Sequence, residues 1–102
     1  MTPLFEQRRT ELEALCRRYN VRRLDVFGSA AASKQRPGQS DLDLLVEFGP
    51  FPPGAYADAY FGLMESLEAL YGRPVDLVVA SAIRNPYFLQ AVERTKVLLY
   101  AP

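Results

Sequence analysis

The chain has 102 residues, and its 12 basic and 12 acidic side chains cancel to a formal net charge of zero. This length fits a single domain over residues 1–102, and the balanced charge argues against bulk nucleic-acid or membrane-surface binding. The absence of histidine excludes Ser-His and Cys-His catalysis. The lone Cys16 excludes an internal disulfide and, with no signal peptide or long apolar run, predicts a cytoplasmic protein.

Hydrophobic periodicity predicts helices over residues 3–19, 55–71 and 86–94, and strands over 22–28, 41–48, 75–80 and 96–100. The alanine-rich residues 29–33 favour a further short helix, whereas 34–40 and 49–54 contain the Pro and Gly residues of loops. Because a helix connects the second and third strands, these two strands should pair in parallel. The pattern predicts an α/β fold with a mixed sheet.

Three aspartates fall at the starts of two of these strands. Asp41 and Asp43 alternate with the apolar Leu42 and Leu44, so both carboxylates should leave the strand on the face opposite the core. Parallel pairing would bring Asp76, near the start of the next strand, to the same sheet edge. Residues 28–29, a Gly-Ser corner, reach that edge only if the first strand runs antiparallel to the second.

Carboxylates gathered in this way repel one another, and a divalent cation is the ordinary remedy. Their hard oxygen atoms, without His or Cys, favour magnesium or manganese over zinc. A Gly-Ser corner can present N–H and hydroxyl groups to phosphate. Aspartates at strand starts and Gly-Ser turns are individually common structural features. However, three of the five aspartates lie where a metal and phosphate site needs them.

These residues resemble the DNA polymerase beta-like nucleotidyltransferase superfamily, and within it the minimal nucleotidyltransferases that act as antitoxins beside HEPN-type toxins. The similarity is carried by Val26-Phe27-Gly28-Ser29, Ser40-Asp41-Leu42-Asp43-Leu44-Leu45-Val46-Glu47-Phe48, Val75-Asp76-Leu77-Val78, Ile83-Arg84-Asn85-Pro86-Tyr87-Phe88-Leu89 and Val97-Leu98-Leu99-Tyr100. It covers nearly the whole chain. It implies the polymerase beta-like fold, with about four strands in a mixed sheet and three to four helices.

The resemblance also implies a chemistry, namely transfer of AMP from ATP to a tyrosine hydroxyl of a cognate HEPN-type toxin. Asp41, Asp43 and Asp76 would be the catalytic residues and the Mg²⁺ ligands, and Gly28 and Ser29 would hold the triphosphate. Direct nucleic-acid and membrane partners are not expected, and self-association is left open.

The segment after the Gly-Ser corner departs from the family pattern. Many relatives carry Arg and Gly there, whereas this chain has Ala30-Ala31-Ala32-Ser33. Lys34 or Arg36 is the candidate replacement for the missing positive group beside phosphate. The change bears on nucleotide affinity more than on metal binding.

Two other functions are compatible with these residues. A catalytically silent antitoxin would neutralise its toxin by binding alone, and a small-molecule nucleotidyltransferase would modify a free hydroxyl compound. The short chain disfavours the latter, since it leaves little polypeptide to enclose a small acceptor. Phe51, Tyr56 and Tyr87 lie next to Pro- or Gly-rich segments, where they either pack at element edges or anchor a protein interface.

Overall fold

A four-stranded sheet forms the centre of the computed structural model, which describes residues 3–28 and 41–102. In chain order the elements are α1 (Pro3–Gln7), α2 (Arg9–Arg18), β1 (Val21–Phe27), β2 (Leu42–Phe48), α3 (Tyr56–Tyr71), β3 (Val75–Val79), a 3₁₀ turn (Ala80–Ala82), α4 (Pro86–Thr95) and β4 (Val97–Tyr100). The strand order is β3-β2-β1-β4. Strand β1 is antiparallel to β2 and β4, while β2 and β3 are parallel. The predicted mixed sheet is confirmed.

The main core fills one face of this sheet. Helices α1, α2 and α3 cover the face and bury Phe5, Leu12, Cys16, Leu63 and Leu67 against the inward side chains of the strands. On β2 these inward residues are Leu42, Leu44 and Val46, all fully buried. This alternation fixes the direction of the intervening residues, which must point to the other face.

The first predicted helix, residues 3–19, is wrong as a single element. Arg8 leaves the helical region at φ −116° and ψ 20°, and its carbonyl accepts the Leu12 N–H at 2.9 Å to begin α2. The break redirects α1, so that the buried Phe5 ring packs edge-on against Tyr71 with 5.3 Å between ring centroids. Burial of Phe5 therefore outweighs helix continuity here. In the described ranges, every helix is too short or too polar to cross a bilayer.

The second face carries a smaller apolar cluster beneath α4. Phe27 of β1, Leu45 of β2 and Val92 of α4 form its buried centre. The Phe88 ring meets Phe27 edge-on at 5.9 Å between centroids. Asn85 fixes the start of this helix, because its Oδ1 accepts the N–H groups of Tyr87 and Phe88. Helix α4 covers only part of the second face, and the rest carries the acidic residues.

Candidate active site

One row of the sheet brings the predicted acidic residues together. Phe27 of β1 is opposite Asp43 of β2, and Asp43 is opposite Asp76 of β3. Because β1 runs antiparallel to β2, Gly28 leaves β1 at the edge where β2 and β3 begin. A hydrogen bond from the Leu42 N–H to the Pro74 carbonyl, 3.0 Å long, joins the two strand starts. The strand register therefore brings Gly28, Asp43 and Asp76 together, as the sequence predicted.

The three carboxylates differ in exposure. Asp41 and Asp76 are exposed, whereas Asp43 is half-buried between them and Gly28. Burial, then the charge of Asp76, then that of Asp41 raise the pKa of the Asp43 carboxyl. These like charges are the electrostatic condition that a divalent cation relieves.

The side chains do not form a complete metal cage. Within residues 3–28 and 41–102, no three acidic, Cys or His side chains are arranged so that they could hold a metal ion. Magnesium is commonly held by one or two carboxylates together with water and substrate phosphate, and needs no all-protein cage. The oxygen donors of Asp43 and its neighbours and the raised pKa of Asp43 fit a site of that kind.

Gly28 lies so close to the Asp43 carboxylate that a side chain at this position would collide with it. Its φ of +71° is left-handed, and a Cβ built on it would be 2.7 Å from Asp43 Oδ2. Either feature alone favours glycine. The Gly28 N–H donates to Thr95 Oγ1 at 3.4 Å, so this N–H has a partner inside the protein. The phosphate contacts predicted for Ser29, Lys34 and Arg36 lie outside the described residues, as does the short helix predicted over 29–33.

Two contacts on this face of the sheet were not predicted from the sequence. Asp25 is 1% exposed, and the Arg23 guanidinium donates to both of its carboxylate oxygens, at 2.7 and 3.0 Å. The spacing Arg23-x-Asp25 was a usable signal, since residues two apart on a strand share a face. Thr95 is 67 residues from Gly28, and no local pattern connects them.

The mixed sheet agrees with the predicted nucleotidyltransferase fold. The profile of the nucleotidyltransferase domain family matches residues 9–99, and the chain belongs to this family. Within the family it is a minimal nucleotidyltransferase, as its similarity to known proteins shows.

A Methanocaldococcus jannaschii protein, provisionally named a protein adenylyltransferase, is 38% identical over 85 residues that cover 83% of each chain. A solved structure provisionally classed as a minimal nucleotidyltransferase is 35% identical with a TM-score of 0.73, covering 90% of this chain and 89% of that one. The Shewanella oneidensis complex of a tri-AMPylated HEPN toxin with an MNT antitoxin contains a chain of the same fold. That chain has a TM-score of 0.65 at 18% identity, with 96% of this chain and 73% of that one covered.

Proposed function

We propose that this protein is the antitoxin of a HEPN-type toxin and transfers AMP from Mg²⁺-ATP to a tyrosine hydroxyl of that toxin. The single observation that carries the proposal is the row in which Gly28 abuts Asp43 and Asp43 faces Asp76. The family membership supports nucleotidyl transfer. The adenylyltransferase name of one relative and the AMPylated toxin in another complex support a protein acceptor.

Asp41 and Asp43 would hold Mg²⁺, and Asp76 would complete the set only with water and substrate phosphate, because the three carboxylates, all in the described ranges, do not form a cage by themselves. When bound, the ion supplies positive charge that offsets the triphosphate and the charge developing on the transferred group. Asp76 would orient the acceptor hydroxyl and accept its proton, which a tyrosine with a pKa near 10 does not release unaided. The acceptor oxygen then bonds to the α-phosphorus, the α–β bridging P–O bond breaks, and pyrophosphate leaves.

Label transfer tests this chemistry directly. The protein is incubated with its cognate HEPN-type toxin, Mg²⁺ and ATP labelled at either the α- or the γ-phosphate. We expect the α-label and not the γ-label on toxin tyrosine. Asp43→Asn and Asp76→Asn should each reduce the rate at least about 100-fold, which corresponds to about 2.7 kcal/mol of transition-state stabilisation.

Asp58→Asn is the matched control, because Asp58 is an exposed aspartate in the first turn of α3 and is not part of the acidic row. It should transfer label at the wild-type rate. Transfer by Asp43→Asn at the wild-type rate would contradict the proposal.

The silent-antitoxin alternative predicts a different outcome in cells. An antitoxin that acts by binding alone would still neutralise the toxin as the Asp43→Asn variant, provided that the complex forms. If the protein acts as an enzyme, the Asp43→Asn variant should still bind the toxin but should no longer neutralise it. A co-purification assay beside the toxicity assay separates the two.

A further inference from the structure

A groove lies beside the acidic row, on the same face of the sheet. Its volume is about 480 Å³, and its lining includes Val78 of β3, Ala82 and Ile83 after it, and Phe88 of α4. Phe88 is held against Phe27 and follows the Asn85 cap, so this wall of the groove is fixed by packing and hydrogen bonding. Among the described residues, the groove lining includes none of those proposed to hold the triphosphate or the metal ion.

The register places the groove next to Asp76. Val78 follows Asp76 by two residues, so the two side chains share a face and are about 6–7 Å apart along the strand. Val78 is also opposite Leu45, and this pair is the next one on the same face after Asp43 and Asp76. The groove therefore begins where the acidic row ends.

The geometry of in-line transfer indicates which reactant lies on the β3 side of the acidic row, where the groove is. The leaving pyrophosphate and the attacking hydroxyl must be on opposite sides of the α-phosphorus. The sheet offers the Gly28 corner on β1 at one end of the row and Asp76 on β3 at the other, with Asp43 between them. With the triphosphate at the Gly28 corner, the acceptor approaches from β3, which, like β4, is an edge strand in the described part of the sheet.

The surface around the groove matches a protein acceptor better than a nucleic acid. Its lining is mainly apolar, with Arg84 as its cationic member. Nucleic-acid binding needs several cations to contact phosphates. On either side of Phe88 in the sequence of α4 are Tyr87, which is 80% exposed, and Leu89, which is 41% exposed. Exposed aromatic side chains next to an arginine are typical of protein interfaces.

We propose that this groove binds the acceptor segment of the protein substrate, with an apolar side chain of that segment inserted between Val78, Ile83 and Phe88. The inference rests on the proposed function, since it assumes that the substrate is a protein modified at this sheet edge. The groove supplies affinity and orientation for the acceptor, whereas the aspartates supply the chemistry.

Two variants test the groove from opposite directions. Ala82→Arg places a long charged side chain at the groove mouth without removing a buried group, since Ala82 is exposed. Phe88→Ala removes one wall. Phe61→Ala is the matched control, because Phe61 is a 54% exposed aromatic on α3, outside the groove lining. Thermal unfolding of each variant identifies any loss of folding.

The measurements are the Kd for the cognate HEPN-type toxin without nucleotide, and the Kd for Mg²⁺-ATP without toxin. We expect Ala82→Arg and Phe88→Ala to weaken toxin binding at least tenfold and to leave ATP binding within twofold of wild type. Phe61→Ala should change neither constant by more than twofold. Weaker toxin binding with unchanged ATP binding is specific to a docking role, because unfolding would weaken the binding of both ligands.

The proposal is overturned if the folded groove variants bind toxin as wild type does, or if Phe61→Ala weakens toxin binding equally. It is also overturned if the wild-type protein does not bind the toxin, or if a single-stranded RNA oligonucleotide displaces the toxin from the groove. The proposed transfer fails separately, when wild type binds toxin through the groove but transfers no AMP.

Discussion

Replacing Gly28 by alanine should separate the catalytic importance of this residue from its conformational role. Gly28 has a φ of +71°, and Gly72, the residue that ends α3, has a φ of +69°. A Cβ on Gly72 meets no described atom within 4 Å, whereas a Cβ on Gly28 meets Asp43 Oδ2 at 2.7 Å. Gly72→Ala therefore imposes the same backbone strain without touching the site.

The two effects have different magnitudes. A left-handed alanine costs about 1–2 kcal/mol, so this strain should lower the free energy of unfolding of both variants by about that amount. In a domain of this size, that loss lowers Tm by roughly 4–16 °C. At Gly28 the new methyl group must also displace the Asp43 carboxylate. A misplacement of about 1 Å in a catalytic arrangement costs about 100-fold in rate.

Denaturant unfolding and AMP transfer to the toxin are measured on both variants. We expect Gly28→Ala to lose more stability than Gly72→Ala, by the cost of moving the Asp43 carboxylate, with at least a 100-fold loss of transfer confined to Gly28→Ala. A double-mutant cycle with Asp43→Ala adds a check, since removing that carboxylate should bring the cost of Gly28→Ala down to that of Gly72→Ala. If Gly28→Ala transfers AMP as fast as Gly72→Ala does, the close approach to Asp43 has no role in catalysis.

Three further predictions follow from individual contacts. Because burial and like charge raise the Asp43 pKa, the folded protein holds this proton more tightly than the unfolded chain. Without divalent cation, the contribution of Asp43 to the unfolding free energy should therefore fall as pH rises from the unfolded to the folded pKa, and urea titrations should show this contribution as the difference in slope between wild type and Asp43→Asn. Arg23→Leu should cost about 2–4 kcal/mol by leaving the buried Asp25 unpaired, with Arg23→Leu/Asp25→Leu recovering most of it in the same assay. Asn85→Ala should cost about 1 kcal/mol through loss of the α4 cap, seen as a fall in Tm; an unchanged Tm would show that the cap is dispensable.

The parallel pairing of β2 and β3, the mixed character of the sheet and the position of the acidic row were predictable from the sequence, whereas the direction of β4 was not predicted. Leu42 and Leu44 could be buried only if Asp43 pointed away from them. The helix between β2 and β3 required those strands to be parallel, which brought Asp76 beside Asp43. These inferences succeeded because they depend on the two-residue period of a strand and on connection length, both of which are local properties.

Contacts between distant segments were not predictable in the same way. The break at Arg8 follows from burying Phe5 against Tyr71, and the bond from Gly28 to Thr95 follows from the return of α4 to the site edge. Neither partner is indicated by the residues around it. The groove beside Asp76 has the same origin, since Val78 and Phe88 meet only because α4 crosses the second face.

The open edge of the sheet connects the two candidate roles of the protein. Asp41 and Asp76 are exposed, so bulk water would weaken the attraction of these carboxylates for the Mg²⁺ that accompanies the nucleotide. A partner docked in the groove would cover this side, exclude water and strengthen those interactions at the moment of transfer. Binding and catalysis then become two uses of one surface rather than rival explanations. On this reasoning, a protein acceptor completes a site that a small hydroxyl compound would leave open to solvent.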